Sequence, residues 1–188
     1  MVKQEILSDL KTLDPESFVS KTVIERVPYI FSADWQLYRT WRGKLADLLD
    51  VDSCDICLVG SASVGISLNP EKKFKEFDSE SDIDIAVISP YHFDIAWRKL
   101  RGMRVSKVNT RKERNAIIDH SKGLIFWGCI ATDKILRFLP FATEWSRAAI
   151  EMASTSPTEG REINFRIYRD FYSLRKYQLK NVKRLGGD

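Results

Sequence analysis

The sequence is poor in cysteine and histidine, the residues that most often build disulfide frameworks and structural metal sites. It contains three cysteines and two histidines among 188 residues. A small and odd number of cysteines is typical of a protein from a reducing compartment, so we expect free thiols. Cys54 and Cys57 form one C-x-x-C motif, but no second pair or nearby histidine completes a four-ligand zinc site. Packing is the favoured interpretation, with metal or redox chemistry as the alternative. His92 and His120 are isolated and are interpreted as surface or packing residues.

Long apolar runs are also missing from the sequence. No stretch approaches the roughly 18 residues that a membrane-spanning helix needs. The first residues lack the basic and then apolar pattern of a signal peptide. These two absences predict a cytoplasmic protein that does not associate with membranes.

The net charge is small, because 26 Asp and Glu residues offset most of the 30 Lys and Arg residues, which leaves +4. That excess does not by itself indicate nucleic-acid binding. Residues 98–114, however, contain eight basic residues and one acid, and residues 175–184 form a second basic segment. A solvated helix face is the default interpretation of both segments, and contact with RNA, DNA or nucleotide phosphate is the alternative.

The length fits one domain spanning residues 1–188. An apolar share of 44% with ten Phe, six Tyr and five Trp residues is enough for a core. We expect an α+β fold, with a helical part over residues 1–50, a sheet core over residues 51–170, and a basic helix and tail over residues 171–188. Apolar spacing and turn residues predict the following elements: helices over 34–49 and 91–104, strands over 56–59, 83–88 and 162–168, an exposed loop over 69–81, a strand or buried loop over 125–130, and a capped helix over 132–139.

Two aspartates begin the second predicted strand. Asp82 and Asp84 alternate with isoleucines, so their side chains should leave the same face of the strand. Neighbouring carboxylates repel each other unless a cation lies between them, and hard oxygen ligands favour Mg²⁺ or Mn²⁺. The pair therefore predicts a divalent-metal site, and an exposed strand start is the alternative.

Gly60 and Ser61 directly follow the first predicted strand. A glycine permits close approach of the backbone, and amides at the start of a following helix bind phosphate. Ser61 adds a hydroxyl donor. An ordinary turn would explain these two residues alone, but a phosphate cradle together with metal-holding carboxylates is typical of a triphosphate site.

The order Leu58-Val59-Gly60-Ser61 and then Ser81-Asp82-Ile83-Asp84-Ile85 resembles the signature of the DNA polymerase beta-like nucleotidyltransferase superfamily. The resemblance implies a mixed sheet flanked by helices, with further helices at both termini. It also implies that Asp82 and Asp84 bind metal and that Gly60 and Ser61 grip the triphosphate of an NTP. Ser63 and Ser81 are further candidate nucleotide-binding residues, although Ser81 is also explained as a cap of its turn.

The superfamily's mechanism, as the resemblance implies it, needs a third carboxylate from a later strand. The predicted strand over 162–168 presents Glu162, Asn164, Arg166 and Tyr168 on its polar face. Glu162 is the candidate for the third catalytic acid. If Asn164 or Arg166 stands there instead, catalysis is in doubt, because neither group acts as a base. Arg166 or Arg169 is also a candidate for contact with the triphosphate. The spacer between Ser61 and Asp82 is longer than the common one and implies an inserted loop.

The function that these features predict is transfer of an NMP from an NTP to a hydroxyl acceptor, with Mg²⁺ or Mn²⁺. The acceptor stays open between a protein, a small molecule, an RNA end and a second nucleotide. The first alternative is a catalytically weak or inactive relative that binds nucleotide, nucleic acid or a protein partner as a sensor, antitoxin or defence-system subunit. The second is an α/β interaction module that binds no nucleotide.

Overall fold

A mixed β-sheet packed between helices forms the protein, whose residues 2–186 are described by a computed structural model. The helices are α1 (Val2–Thr12), α2 (Pro15–Phe18), α3 (Trp35–Leu49), α4 (Gly60–Val64), α5 (Pro90–Gly102), α6 (Arg111–Asp119), α7 (Ala142–Met152) and α8 (Phe171–Gly186). The strands are β1 (Ile56–Val59), β2 (Ile83–Ile88), β3 (Cys129–Ala131) and β4 (Ile163–Tyr168). The expected α+β class is confirmed.

The strands lie in the order β1-β2-β4-β3. β2 is antiparallel to β1 and parallel to β4, and β4 is antiparallel to β3. In this register Asp84 lies beside Val59 on one side and beside Asn164 on the other. A parallel pair needs a long crossover, which residues 89–162 supply.

One face of the sheet is wholly apolar where it meets α3, α5, α6 and α7. Alternate residues of β2, namely Ile83, Ile85 and Val87, are fully buried there. The helices contribute large side chains such as Trp41 and Trp145. These helices and this face of the sheet form the larger of two core clusters, which supports the sheet on this side.

The opposite face is covered by α1, α2, a π-helical segment (Val19–Ile24) and α8. Ala86 and Ile88 of β2 are buried against these helices. The same face carries Asp82 and Asp84 at the start of β2, and neither side chain belongs to the buried core. The sheet face thus changes from apolar to acidic along one strand.

Capping explains most of the helix boundaries that the sequence predicts. Asp34 caps α3 by accepting a 2.8 Å hydrogen bond from the backbone of Leu37. The predicted helix over 132–139 forms only as a short 3-10 turn (Leu136–Phe138). Its expected cap, Thr132, instead donates its hydroxyl to the carbonyl of Phe165 in β4 at 3.0 Å. The predicted cap therefore holds the neighbouring strand.

Three further expectations concern the cysteines, the histidines and membrane-spanning helices. Cys54, Cys57 and Cys129 are free, as expected, and only Cys54 is exposed. Both histidines are buried packing residues. Within residues 2–186, every helix is too short or too polar to cross a membrane.

Candidate functional site

A polar cleft of about 360 Å³ opens where β1 ends and β2 begins. Its walls come from the turn after β1, the loop before β2, the strands β2 and β4, and α8. The lining residues are Val59, Gly60, Ser61, Ser67, Leu68, Asn69, Pro70, Lys72, Asp82, Asp84, Arg166, Tyr177, Gln178, Asn181 and Arg184. The cleft therefore brings Gly60 and Ser61 together with both aspartates.

Gly60 and Asp84 are in direct contact across the β1–β2 pair. Val59 is the register partner of Asp84, so the chain turns just beside this carboxylate. Gly60 turns with φ +67°, a conformation that other L-residues rarely adopt. A β-carbon added at this position would lie 2.9 Å from Oδ2 of Asp84. The backbone angle therefore favours glycine, and an added side chain would displace the Asp84 carboxylate.

Asp84 is an acid whose charge the protein compensates incompletely. Burial is the main cause that raises its pKa to about 6; the guanidinium of Arg166 opposes this effect, and the Asp82 carboxylate adds to it. Within residues 2–186 no hydrogen-bond donor reaches the Asp84 carboxylate. A divalent cation between the two aspartates would supply the missing positive charge.

Asn164 occupies the place beside the acid pair on β4. It is aligned with Asp84 in the sheet, and its Nδ2 donates a 3.3 Å hydrogen bond to Oδ2 of Asp82. An amide carries no charge and cannot act as a general base. Across the described range 2–186, no group of three or more His, Cys, Asp or Glu residues could hold a metal ion. The acidic part of the cleft is thus a pair of carboxylates with a neutral neighbour.

Three cations face the same cleft. Arg166 projects from β4 and donates from Nη1 to the hydroxyl of Tyr177 at 3.0 Å. Lys72 comes from a 3-10 turn (Pro70–Lys72) in the loop before β2, and Arg184 comes from α8. Cations beside two acids suit a ligand that is itself anionic and carries a metal, such as a polyphosphate.

Arg161 holds the segment that leads into Asp82. Its Nη1 donates to the carbonyl of Asp78 at 2.6 Å and to that of Ser81 at 2.9 Å. The guanidinium also lies over the ring of Phe77, 4.5 Å from its centroid. The position of Asp82 is therefore set partly by a residue just before β4.

Three predicted site residues lie outside the lining of the cleft. Ser63 is buried and donates its hydroxyl to the carbonyl of Val23 at 3.0 Å, which anchors α4 to the π-helical segment. Ser81 donates to Asp78 at 2.8 Å within its own turn. Glu162 precedes β4 with an exposed side chain, and its carbonyl accepts from the Ile83 amide at 2.8 Å. Their polar groups stabilise backbone structure or face water.

The two candidate arginines of the β4 region have different surroundings. Arg166 lines the cleft beside the acids, whereas Arg169 lies beyond the far end of β4 and pairs with Asp170 at 3.2 Å. Of these two arginines, Arg166 alone lines the cleft.

The contribution of α8 to the cleft was not predicted from the sequence. Tyr177, Asn181 and Arg184 follow one another at spacings of four and three, so they share a polar face of this helix. The spacing is visible in the sequence, and it gives no indication of which strand end the helix covers.

No family model matches the chain, and no curated protein and no solved structure is similar enough to match it. The residues that line the cleft are therefore the basis for assigning its chemistry.

Proposed function

We propose that the protein is a metal-dependent nucleotidyltransferase that transfers an NMP from an NTP to a hydroxyl acceptor. The observation that carries the proposal is the joint presence of Asp82, Asp84 and the Gly60-Ser61 turn in one cleft. The resemblance of the sequence around these residues to the nucleotidyltransferase superfamily supports the same function.

Asp82 and Asp84 are the residues that would hold the metal. Their oxygens are hard ligands of the kind that Mg²⁺ and Mn²⁺ prefer, and the raised pKa of Asp84 reflects burial that a cation would offset. The metal, when bound, would neutralise charge on the phosphates and on the departing pyrophosphate.

The remaining residues of the cleft bind and orient the substrate. Gly60 leaves room for close approach of a phosphate to the backbone, and Ser61 offers a hydroxyl donor. Arg166 and Lys72 attract the charged oxygens and fix the α-phosphorus near the acids. The acceptor hydroxyl gives up its proton to water and its oxygen bonds to the α-phosphorus. The bond from that phosphorus to the oxygen of the β-phosphate breaks, and pyrophosphate leaves with the bonding electrons.

Asn164 favours a second candidate, a protein that binds an NTP with metal and does not turn it over. An amide stands beside the acid pair, where a base would activate the acceptor hydroxyl. Such a protein would act as a nucleotide sensor or as a regulatory subunit. The two candidates share the ligand and differ in chemistry.

Incubation with each labelled NTP and Mg²⁺ or Mn²⁺ tests the two candidates. Label transfer or pyrophosphate release that disappears in the Asp82→Ala and Asp84→Ala variants supports the transferase. The matched control is Asp47→Ala, which removes an exposed acid of α3. Metal-dependent NTP binding without release of pyrophosphate supports the sensor, as does turnover that appears only in Asn164→Asp. Absence of NTP binding contradicts both candidates and favours an interaction module.

A further inference from the structure

A second cavity, of about 770 Å³, lies at the other end of β4 from the acid pair. It runs between α5, the segment that precedes β3, and the start of α8. Besides the buried Phe93, four aromatic side chains line it, together with two cations: Trp97, Phe126, Trp127, Tyr172, Arg169 and Lys176. We call this cavity the aromatic groove.

Two rings of the aromatic groove are open to water, and those of Trp97 and Trp127 are half-buried. Phe126 is 84% exposed and Tyr172 is 69% exposed. Phe126 packs edge to face on Trp127, with ring centroids 5.8 Å apart. Large aromatic surface left in water at a concave site marks a place where another molecule binds.

Each of three rings in the groove has a cation beside it. The Nζ atom of Lys180 lies 4.8 Å from the ring centroid of Trp127, and that of Lys176 lies 5.4 Å from that of Tyr172. The guanidinium of Arg101 lies 4.8 Å from the ring centroid of Trp97. The groove thus alternates flat apolar surfaces with positive charges.

Two helices make this alternation regular. Tyr172, Lys176 and Lys180 follow at intervals of four residues, so one face of α8 presents a ring and then two cations. Trp97 and Arg101 repeat the same interval on α5.

The charge of the groove is positive after its ion pairs are counted. Its acids are already engaged, since Asp94 pairs with Arg98 at 2.7 Å and Asp170 pairs with Arg169. Lys176 pairs with Glu16 at 3.1 Å. In the part of the chain that the structure describes, neither Lys180 nor Arg101 forms a salt bridge. Exposed Lys99 extends the positive surface along α5.

We propose that the aromatic groove binds single-stranded nucleic acid. Unpaired bases stack on exposed rings, and cations spaced between the rings reach the phosphates of the same strand. A duplex hides the faces of its bases and would leave the rings without a partner. A protein partner would be expected to meet an apolar centre with charges confined to a rim, whereas here a cation lies against each of three rings. The inference does not depend on catalysis in the cleft.

Binding of fluorescently labelled oligo(dT) and oligo(U), each of about 12 nucleotides, to the full chain tests this proposal. We expect affinity that falls with salt, and a loss of about tenfold for each of Phe126→Ala and Tyr172→Ala, because a stacked base contributes to binding. Both residues are exposed, so these variants should fold, which circular dichroism would check. Lys180→Glu should weaken binding and flatten its salt dependence.

Trp35→Ala is the matched control, since Trp35 is an exposed ring with a cation, Arg42, 5.7 Å from its centroid on α3. Binding by this variant should equal that of the native chain. The proposal fails if neither oligonucleotide binds, if a duplex of mixed sequence binds as tightly as the single strands, or if the Phe126 and Tyr172 variants bind normally. The Asp82→Ala, Asp84→Ala double variant should keep full binding, which separates this test from that of the transferase.

Discussion

A β-carbon on Gly60 would lie 2.9 Å from Oδ2 of Asp84, so the turn after β1 and the acid on β2 form one contact. The shape of the turn and the position of the acid therefore depend on each other. A substitution at Gly60 should alter the position of the Asp84 carboxylate, and a substitution at Asp84 should alter the turn.

Replacement of Gly60 by alanine tests this dependence. We expect Gly60→Ala to lower the free energy of unfolding by about 2–4 kcal/mol, because alanine is strained at positive φ and its methyl group meets Asp84. Urea titration measures the loss. Gly160→Ala is the control, since Gly160 has φ +71° with no atom within 4 Å of an added β-carbon. Equal losses in the two variants would contradict the contact with Asp84.

The acid itself should cost stability in the absence of metal. Burial raises the pKa of Asp84 to about 6, above its value in the unfolded chain. The stability associated with this group is therefore present below pH of about 4 and is lost as the pH rises through about 6. We expect Asp84→Asn to be more stable than the native chain at pH 7 by about 1–2 kcal/mol. This free energy is smaller than the full pKa shift would give, because the side chain is partly exposed and solvent screens its charge.

Thermal unfolding with and without Mg²⁺ completes that test. Mg²⁺ should raise the melting temperature of the native chain and leave that of Asp84→Asn unchanged, because a ligand stabilises only the state that binds it. Asp47→Asn, at an exposed acid, should behave as the native chain does. A native chain more stable than Asp84→Asn in metal-free buffer at pH 7 would refute the assigned cost.

Arg161 should affect the cleft from a distance. Its Nη1 donates to the carbonyls of Asp78 and Ser81, just before Asp82. We expect Arg161→Ala to weaken metal-dependent NTP binding several-fold and to lower stability by about 1–2 kcal/mol, because two half-buried carbonyl acceptors lose a charged donor. Arg161→Lys should recover part of both losses. Isothermal titration with an NTP and Mg²⁺ gives the binding constant, and unchanged affinity in both variants would exclude a positioning role.

His120 predicts a pH dependence of folding that is unrelated to the cleft. Its Nδ1 donates to the carbonyl of Ala116 at 2.6 Å, and its Nε2 accepts from the amide of Ala131 in β3 at 3.0 Å. Burial lowers the pKa of His120, an effect that the nearby carbonyls of Ala116 and Ala131 and the carboxylates of Asp133 and Asp119 oppose. Since the folded pKa lies below the unfolded value of about 6.5, stability is present above pH 6.5 and is lost as the pH falls through the folded pKa.

Urea titrations between about pH 5 and pH 8 measure this loss. His120→Phe should be less stable at pH 8 by about 1–3 kcal/mol because it leaves backbone groups of β3 unpaired, and its stability should vary less with pH. His92, whose pKa burial also lowers, should account for part of the slope that remains. A slope as steep as that of the native chain would contradict the role of His120.

The local parts of the fold could be predicted from the sequence. The alternation of isoleucines with Asp82 and Asp84 fixes a strand whose two sides differ, and the structure forms β2 there. The cap at Asp34 marks the start of α3 in the same way. The helix predicted after Thr132 was wrong, because a threonine hydroxyl can either cap a local helix or hydrogen-bond to a strand. Only the packing of the sheet decides that it bonds to β4.

The complete cleft could not be predicted because its walls meet only in the folded chain. The turn at Gly60 and the acids are close in sequence and were found by pattern. The alignment of Asn164 with Asp84 depends on a strand register that no local pattern encodes. Lys72 was assigned to an exposed loop, and the polar face of α8 was described only as basic.

The long crossover between β2 and β4 has a consequence for how the cleft comes into being. Residues 89–162 must be ordered, or at least looped out, before Asn164 and Arg166 can arrive beside the acids. Closing so long a segment costs entropy before any strand contact repays it. On a growing chain the two carboxylates therefore stay without their β4 neighbours until residues 163–168 have been synthesised.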